Sequence, residues 1–274
     1  MRLVLTTIVT ALTALASAPA HAESPIDLCD FKPVFMEDFH DISVSSRILG
    51  DKRWIAHTPW NGDFGDAVFV DPGANGPFSL EGGALQIRAR RKPADHWVSG
   101  LIAAADSSGK GYGAQYGYFE ARMRMPPGPG TWPAFWLANV VPETDPSPGV
   151  EIDVIEYYGH FADSYQSALH VWDKGADRSP AIHSTRVRDG ALVSAFHDYG
   201  VQVAPDMITY YFDRSPVWSR PTPPELRAPL FPIVDLALGS GYPIDKTPDP
   251  STLSVAYVHV YAHDPGGRAL RCPN

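Results

Sequence analysis

Alternation of apolar and polar residues dominates this chain. Across residues 84–90, Leu85, Ile87 and Ala89 alternate with Gln86, Arg88 and Arg90. Across residues 117–125, Phe119, Ala121, Met123 and Met125 alternate with Tyr118, Glu120, Arg122 and Arg124. A period of two with one apolar face marks a half-buried strand. Further strands are predicted at 34–39, 150–157, 165–170, 199–203, 207–212, 233–238 and 255–261. Beyond the first 22 residues no window sustains a helical period for more than a turn or two. The 27 prolines and 23 glycines fall mainly between the strands, as in Pro126-Pro127-Gly128-Pro129-Gly130, and mark turns and long loops. Many short strands with such connections predict an all-β sandwich or jelly roll. No internal repeat or linker divides it, so residues 23–274 read as a single domain.

The amino-terminal segment has a different character. Arg2 precedes an uncharged, largely apolar run over 3–16, and Ala20-His21-Ala22 has the small residues of a cleavage site. The alternative is a membrane anchor, but the run stops short of the roughly 18–20 residues that spanning needs. A cleaved signal at 1–22 is therefore expected, giving a protein that is secreted (extracellular or periplasmic) and free of the membrane. The net charge of −9 argues against a nucleic-acid partner, which would need clustered Lys and Arg. It weighs mildly against strongly sulfated polysaccharides as well, although a local cleft can differ from the whole. The two cysteines, Cys29 and Cys272, lie near opposite ends of the chain. In an exported protein such a pair is more often bridged than free, and a disulfide is expected. Two buried thiols are the alternative.

The informative segment is Gly149-Val150-Glu151-Ile152-Asp153-Val154-Ile155-Glu156. Three acids in six residues of a β-branched strand are costly if buried unpaired. Glu151 and Asp153 share a face, whereas strict alternation puts Glu156 on the other. One extra residue, a β-bulge at Val154-Ile155, would return Glu156 to the same side and turn both apolar residues inward. The glutamates would then lie about four strand steps apart, roughly 13 Å between Cα atoms. Side chains leaning together would bring the carboxyls to the ~5–5.5 Å of a retaining glycosidase. A Ca²⁺ site or a solvated edge strand would also use acids. Calcium sites, however, usually draw on loop carbonyls and Gly, and a solvated edge has no need of Val154 and Ile155 together.

These residues resemble the bulged signature of glycoside hydrolase family 16. Gly130-Thr131-Trp132-Pro133-Ala134-Phe135-Trp136-Leu137 and Phe196-His197-Asp198-Tyr199-Gly200-Val201 resemble further hallmarks. So do Tyr116-Gly117-Tyr118-Phe119-Glu120-Ala121-Arg122 and Asp235-Leu236-Ala237-Leu238-Gly239, all in the family's order. The resemblance implies a β-jelly-roll sandwich of two antiparallel sheets with a concave cleft. It also implies Glu151 as nucleophile, Asp153 as assisting carboxylate and Glu156 as acid/base. The six-residue spacing is similar to the laminarinase-like side of the family. Hydrolysis of internal β-1,3/β-1,4-glucan-type linkages follows as the expected activity. Many members carry Asp in the last strand, where it can help hold a calcium; here the position is Ala256, and no metal or other cofactor is expected.

Trp132 and Trp136, four apart on a presumed strand, share a face, and Phe135 points the other way. Flat indoles suit the C–H faces of pyranose rings, and the resemblance places both in the cleft. His170 and Trp172 are further cleft candidates. Trp60 and Trp97, in loops, either widen the groove or pack. The ten histidines include no His-Glu-x-x-His, which speaks against zinc. The glycines at 109, 111 and 113 precede a strand rather than the helix a phosphate cradle needs. No Gly-x-Ser-x-Gly occurs. The expected partner is a polysaccharide, acted on by a monomer. A lectin-like binding protein without turnover and a transglycosylase remain as competing functions.

Overall fold

Strands form because β-branched and aromatic residues alternate with polar ones, and they pack because the apolar faces of two sheets meet. The computed structural model describes residues 24–60, 62–93, 96–140, 145, 147–178 and 180–272; the expected signal at 1–22 lies outside them. In chain order the strands are β1 (Phe31–Glu37), β2 (Val44–Ser45), β3 (Trp54–Ile55), β4 (Ala67–Phe69), β5 (Phe78–Glu81), β6 (Ala84–Lys92), β7 (His96–Ser99), β8 (Leu101–Ala103) and β9 (Gly117–Arg124). There follow β10 (Thr131–Asn139), β11 (Gly149–Glu156), β12 (Ser164–Asp173), β13 (Ala176–Asp177), β14 (Ala181–Arg186), β15 (His197–Val203), β16 (Met207–Phe212), β17 (Ser215–Pro221), β18 (Leu230–Leu238) and β19 (Ser251–His263). The α-helices among the described residues are single turns, Ala191–Ser194 and Arg268–Arg271.

One sheet runs β17-β16-β15-β9-β19-β6-β7-β4, with β1 on β19 and β5 on β6. The other runs β13-β12-β11-β10-β18-β8-β3-β2, with β14 on β12. Nearly all pairs are antiparallel, as expected; the short edge pairs β2–β3 and β4–β7 are parallel. Between the sheets Phe119, Phe135, Ile155, Tyr199 and Val234 join one core. A fully buried Phe contributes about 1.5–3 kcal/mol relative to exposure. β10 separates its faces cleanly. Phe135 and Leu137 enter that core, while Ala134, Trp136 and Ala138 belong to a second cluster on the opposite face with Leu49, Phe69 and Ile233. That second face is the floor of the cleft.

The structure departs from simple alternation on β9. Tyr118 and Glu120, expected on the polar side, are both fully buried. Tyr118 packs with Phe31, Tyr211 and Tyr261, and Glu120 accepts hydrogen bonds from Arg214, Tyr257 and Tyr118. Long-range partners cover this face, which is why a local pattern missed it. Trp97 is not a groove residue: it lies on β7, 3% exposed, in the main core. Cys29 and Cys272 form a disulfide across 243 positions. Next to it, Arg271 Nε donates to the Cys29 carbonyl at 2.9 Å. No helix among the described residues is long and apolar enough to cross a membrane.

Candidate active site

The acids on β11 reach one face through a break in register. Against β10, Phe135 pairs with Ile155 but Trp136 pairs with Asp153, leaving Val154 as the extra residue. Against β12, the pairing steps from Asp153–Ala168 to Glu156–Gln166, so two residues oppose one. Val154 and Ile155 both enter the core, at 2% and 0% exposure. The bulge therefore turns both apolar residues inward, and Glu151, Asp153 and Glu156 line one cleft.

That cleft encloses about 660 Å³. Trp60, Phe64, Trp132, Trp136 and Trp172 contribute its aromatic surface, and its acids are Glu151, Asp153, Glu156 and Asp235. Among the described residues, neither Lys nor Arg lines it. Trp60 is half-exposed and meets Trp136 edge-on at 5.9 Å. Trp136 is 5% exposed, pressed beneath Trp60 and Phe64. Trp132 lies parallel to Tyr158 at 6.1 Å. The sequence candidates Trp60, Trp132, Trp136 and Trp172 all reach the cleft, and His170 stands behind the acids.

Hydrogen bonds orient each carboxyl. Glu156 Oε1 accepts from Trp132 Nε1 at 3.0 Å and from the Tyr158 hydroxyl at 3.1 Å. Asp235 is wholly buried; it accepts from Trp136 Nε1 at 2.9 Å and from the Ala237 amide at 2.9 Å. His170 Nε2 lies 3.2 Å from Asp153 Oδ2, and its Nδ1 lies 2.6 Å from Asp177 Oδ2. Burial, then the charge of Asp153, pushes Glu151 up to about 8 and Glu156 up to about 7. Burial also raises Asp153, and it pushes Asp235 up to about 8. Burial works against a charge on His170, yet hydrogen bonding and attraction to Asp153, with Asp177 and Glu151, raise it to about 9. Such a cluster holds protons at neutral pH where separate carboxyls would have lost them.

Glu151, Asp153 and His170 offer three potential ligand atoms within 4.8 Å of one another. Both nitrogens of His170 face carboxyl oxygens, an arrangement that favours a doubly protonated ring over a metal ligand. Ala256, on β19, offers no carboxylate. Four contributors lay beyond the sequence reading. Asp235 stood in a family-like motif without a role, Phe64 in a loop, and Tyr158 just past the acidic strand. Asp177 gave no local signal at all, because a hairpin brings it in.

Residues 101–242 match the family described as Glycosyl hydrolases family 16. The endo-1,3-1,4-beta-glycanase ExsH of Rhizobium meliloti is 34% identical over 196 residues, covering 69% of this chain and 40% of that protein. EglC, a protein of the same description and organism, is 30% identical over 261 residues, covering 84% of this chain and 51% of that protein. The chain thus spans about half of these relatives' length or less. The laminarinase catalytic domain of Thermotoga maritima superposes with a TM-score of 0.67 at 20% identity, over 85% of this chain and 98% of that one, and shares the jelly-roll fold. Since the match at 101–242 takes in more than half of its 274 residues, the chain belongs to glycosyl hydrolase family 16.

Proposed function

We propose that this protein is an endo-acting, retaining β-glycosidase that hydrolyses internal β-1,3/β-1,4-glucan-type linkages. The observation that carries the reading is the bulge at Val154-Ile155, which sets two glutamates and an aspartate on one cleft wall. Glu151 attacks the anomeric carbon and forms a glycosyl-enzyme. Glu156 protonates the departing oxygen and then, as base, activates the water that releases the sugar. Asp153, between them, discourages full ionisation of the set by repulsion, so that one of the two glutamates keeps a proton for the first step. The chemistry uses carboxyls alone. Trp60, Trp132, Trp136 and Trp172 offer flat apolar surfaces to pyranose rings. A cleft without Lys or Arg suits a neutral polysaccharide better than a sulfated one. The two relatives named above, both described as endo-1,3-1,4-beta-glycanases, support the substrate class. The disulfide supports an exported protein.

The test is reducing-end release from laminarin, lichenan, agarose and bacterial exopolysaccharides, with the anomer of the first product read by NMR. A β-glucan cleaved internally with the β-anomer formed first is the expected result. Binding without cleavage would favour the lectin-like alternative, and inversion would overturn the carboxyl geometry.

A further inference from the structure

We propose that Asp177 is a positioning residue for the acid cluster: acting through the His170 imidazolium, it lowers the cost of ionising Glu151, the form that attack requires. The inference rests on the role proposed above for Glu151. Asp177 touches no substrate in this scheme and acts only through His170.

Its place is set by a tight hairpin. Lys174 and Gly175 adopt left-handed backbone, with φ of 52° and 79°, so two residues reverse the chain between β12 and β13. Pairing then sets Asp177 opposite Trp172. From there its carboxylate reaches diagonally to His170 Nδ1 at 2.6 Å, while its other oxygen faces the Val171 amide at 3.4 Å. On the far side of the ring, Nε2 faces Asp153 Oδ2 at 3.2 Å. An imidazole flanked by two carboxylates is most stable with both nitrogens protonated. The ring stacks on Trp172 at 5.5 Å, and Trp172 lines the cleft together with Glu151. In register, His170 is the direct partner of Glu151.

Charge decides what this does. Glu151 is half-buried among acids in a cleft that, among the described residues, neither Lys nor Arg lines, and attraction to His170 is the main influence that favours its ionised form against burial and Asp153. The groups facing His170 are Glu151 and Asp153 from β11 and Asp177 from β13. Neighbouring charges are engaged elsewhere: Arg178 pairs with Asp173, Arg186 of β14 pairs with Asp163, and His183 of β14 stacks on Trp218. Removing the Asp177 charge therefore weakens the hold on the His170 proton and raises the cost of ionising Glu151. A hairpin anchor with no electrostatic part would alter stability alone.

Asp177→Asn keeps an acceptor for Nδ1–H and removes the charge. In the full chain, without substrate, NMR titration of the His170 ring and the Glu151 carboxyl should find His170 titrating at least about one pH unit lower and Glu151 about one unit higher. In turnover assays the acid limb of kcat/KM should rise by the same amount, with KM at the optimum unchanged, and Asp177→Glu should restore the original profile. An unmoved titration of either His170 or Glu151, or a loss of melting temperature with both unmoved, would overturn the proposal. Were the protein to cleave no glucan, the function proposed above would fail while the two titrations still decided this one.

Discussion

Glu151 and Glu156 are the same residue type in one strand, distinguished by their neighbours. Glu151 looks toward His170 and Trp172, while Glu156 accepts from Trp132 and Tyr158. Their assigned roles predict opposite outcomes of chemical rescue. In Glu156→Ala, an activated aryl glycoside should still form the glycosyl-enzyme, because a good leaving group needs no proton, and added azide should give the β-glycosyl azide. In Glu151→Ala, azide replaces the nucleophile and should give the α-product; the reverse pattern would exchange the roles. A pH dependence follows as well. Glu151 and Glu156, both raised by burial, share their protons as a pair that titrates near 7 and 8. The reactive form is the singly protonated pair with its proton on Glu156, so kcat/KM should trace a bell with its optimum between those values. Below it both carboxyls are protonated and no nucleophile remains; above it both are ionised and no acid remains. A profile still rising at pH 9 would contradict this.

At the scale of elements, the bulge on β11 is the decisive feature. It survives because Val154 and Ile155 both bury, so the core stabilises the irregularity that the cleft uses. Ile155→Ala should cost about 2–5 kcal/mol, read as a lower midpoint in urea, since it leaves a cavity at a site of 0% exposure. A cost under about 0.5 kcal/mol would show the bulge to be held by something else. The bulge was legible in the sequence because two large apolar residues separated acids that share a chemistry. The β12–β13 hairpin was not. Its two-residue strand, Ala176–Asp177, has no periodicity to detect, yet it delivers the carboxylate nearest His170.

For the whole molecule, the Cys29–Cys272 bridge joins the two ends of the described chain. Mass spectrometry of the unreduced protein should find no alkylatable thiol. Cys29→Ser with Cys272→Ser should lower stability by about 2–5 kcal/mol, since the bridge closes a loop of 243 positions. Turnover should be indifferent to EDTA, because the proposed chemistry uses the carboxyls of Glu151 and Glu156 and no metal. Loss of activity on chelation, restored by calcium, would refute that reading.

The sequence by itself determined the fold class, the principal strands, the acid trio, its bulge and the cysteine pair. Each is written in local period or in residue types whose chemistry allows few alternatives. Tertiary structure alone decided which polar residues are buried and which aromatics meet the cleft. Tyr118 and Glu120 alternate like surface residues but are sealed by Phe31, Tyr211 and Arg214 from distant segments. Trp60 and Trp97 look alike in sequence, yet one edges the cleft and the other fills the core. Asp235 joins the acids because β18, distant in the chain, becomes the neighbour of β10, and Asp177 because a tight hairpin turns β13 back along β12. Periodicity assigns a residue to a face of its strand; what covers that face depends on long-range packing, which local pattern does not encode.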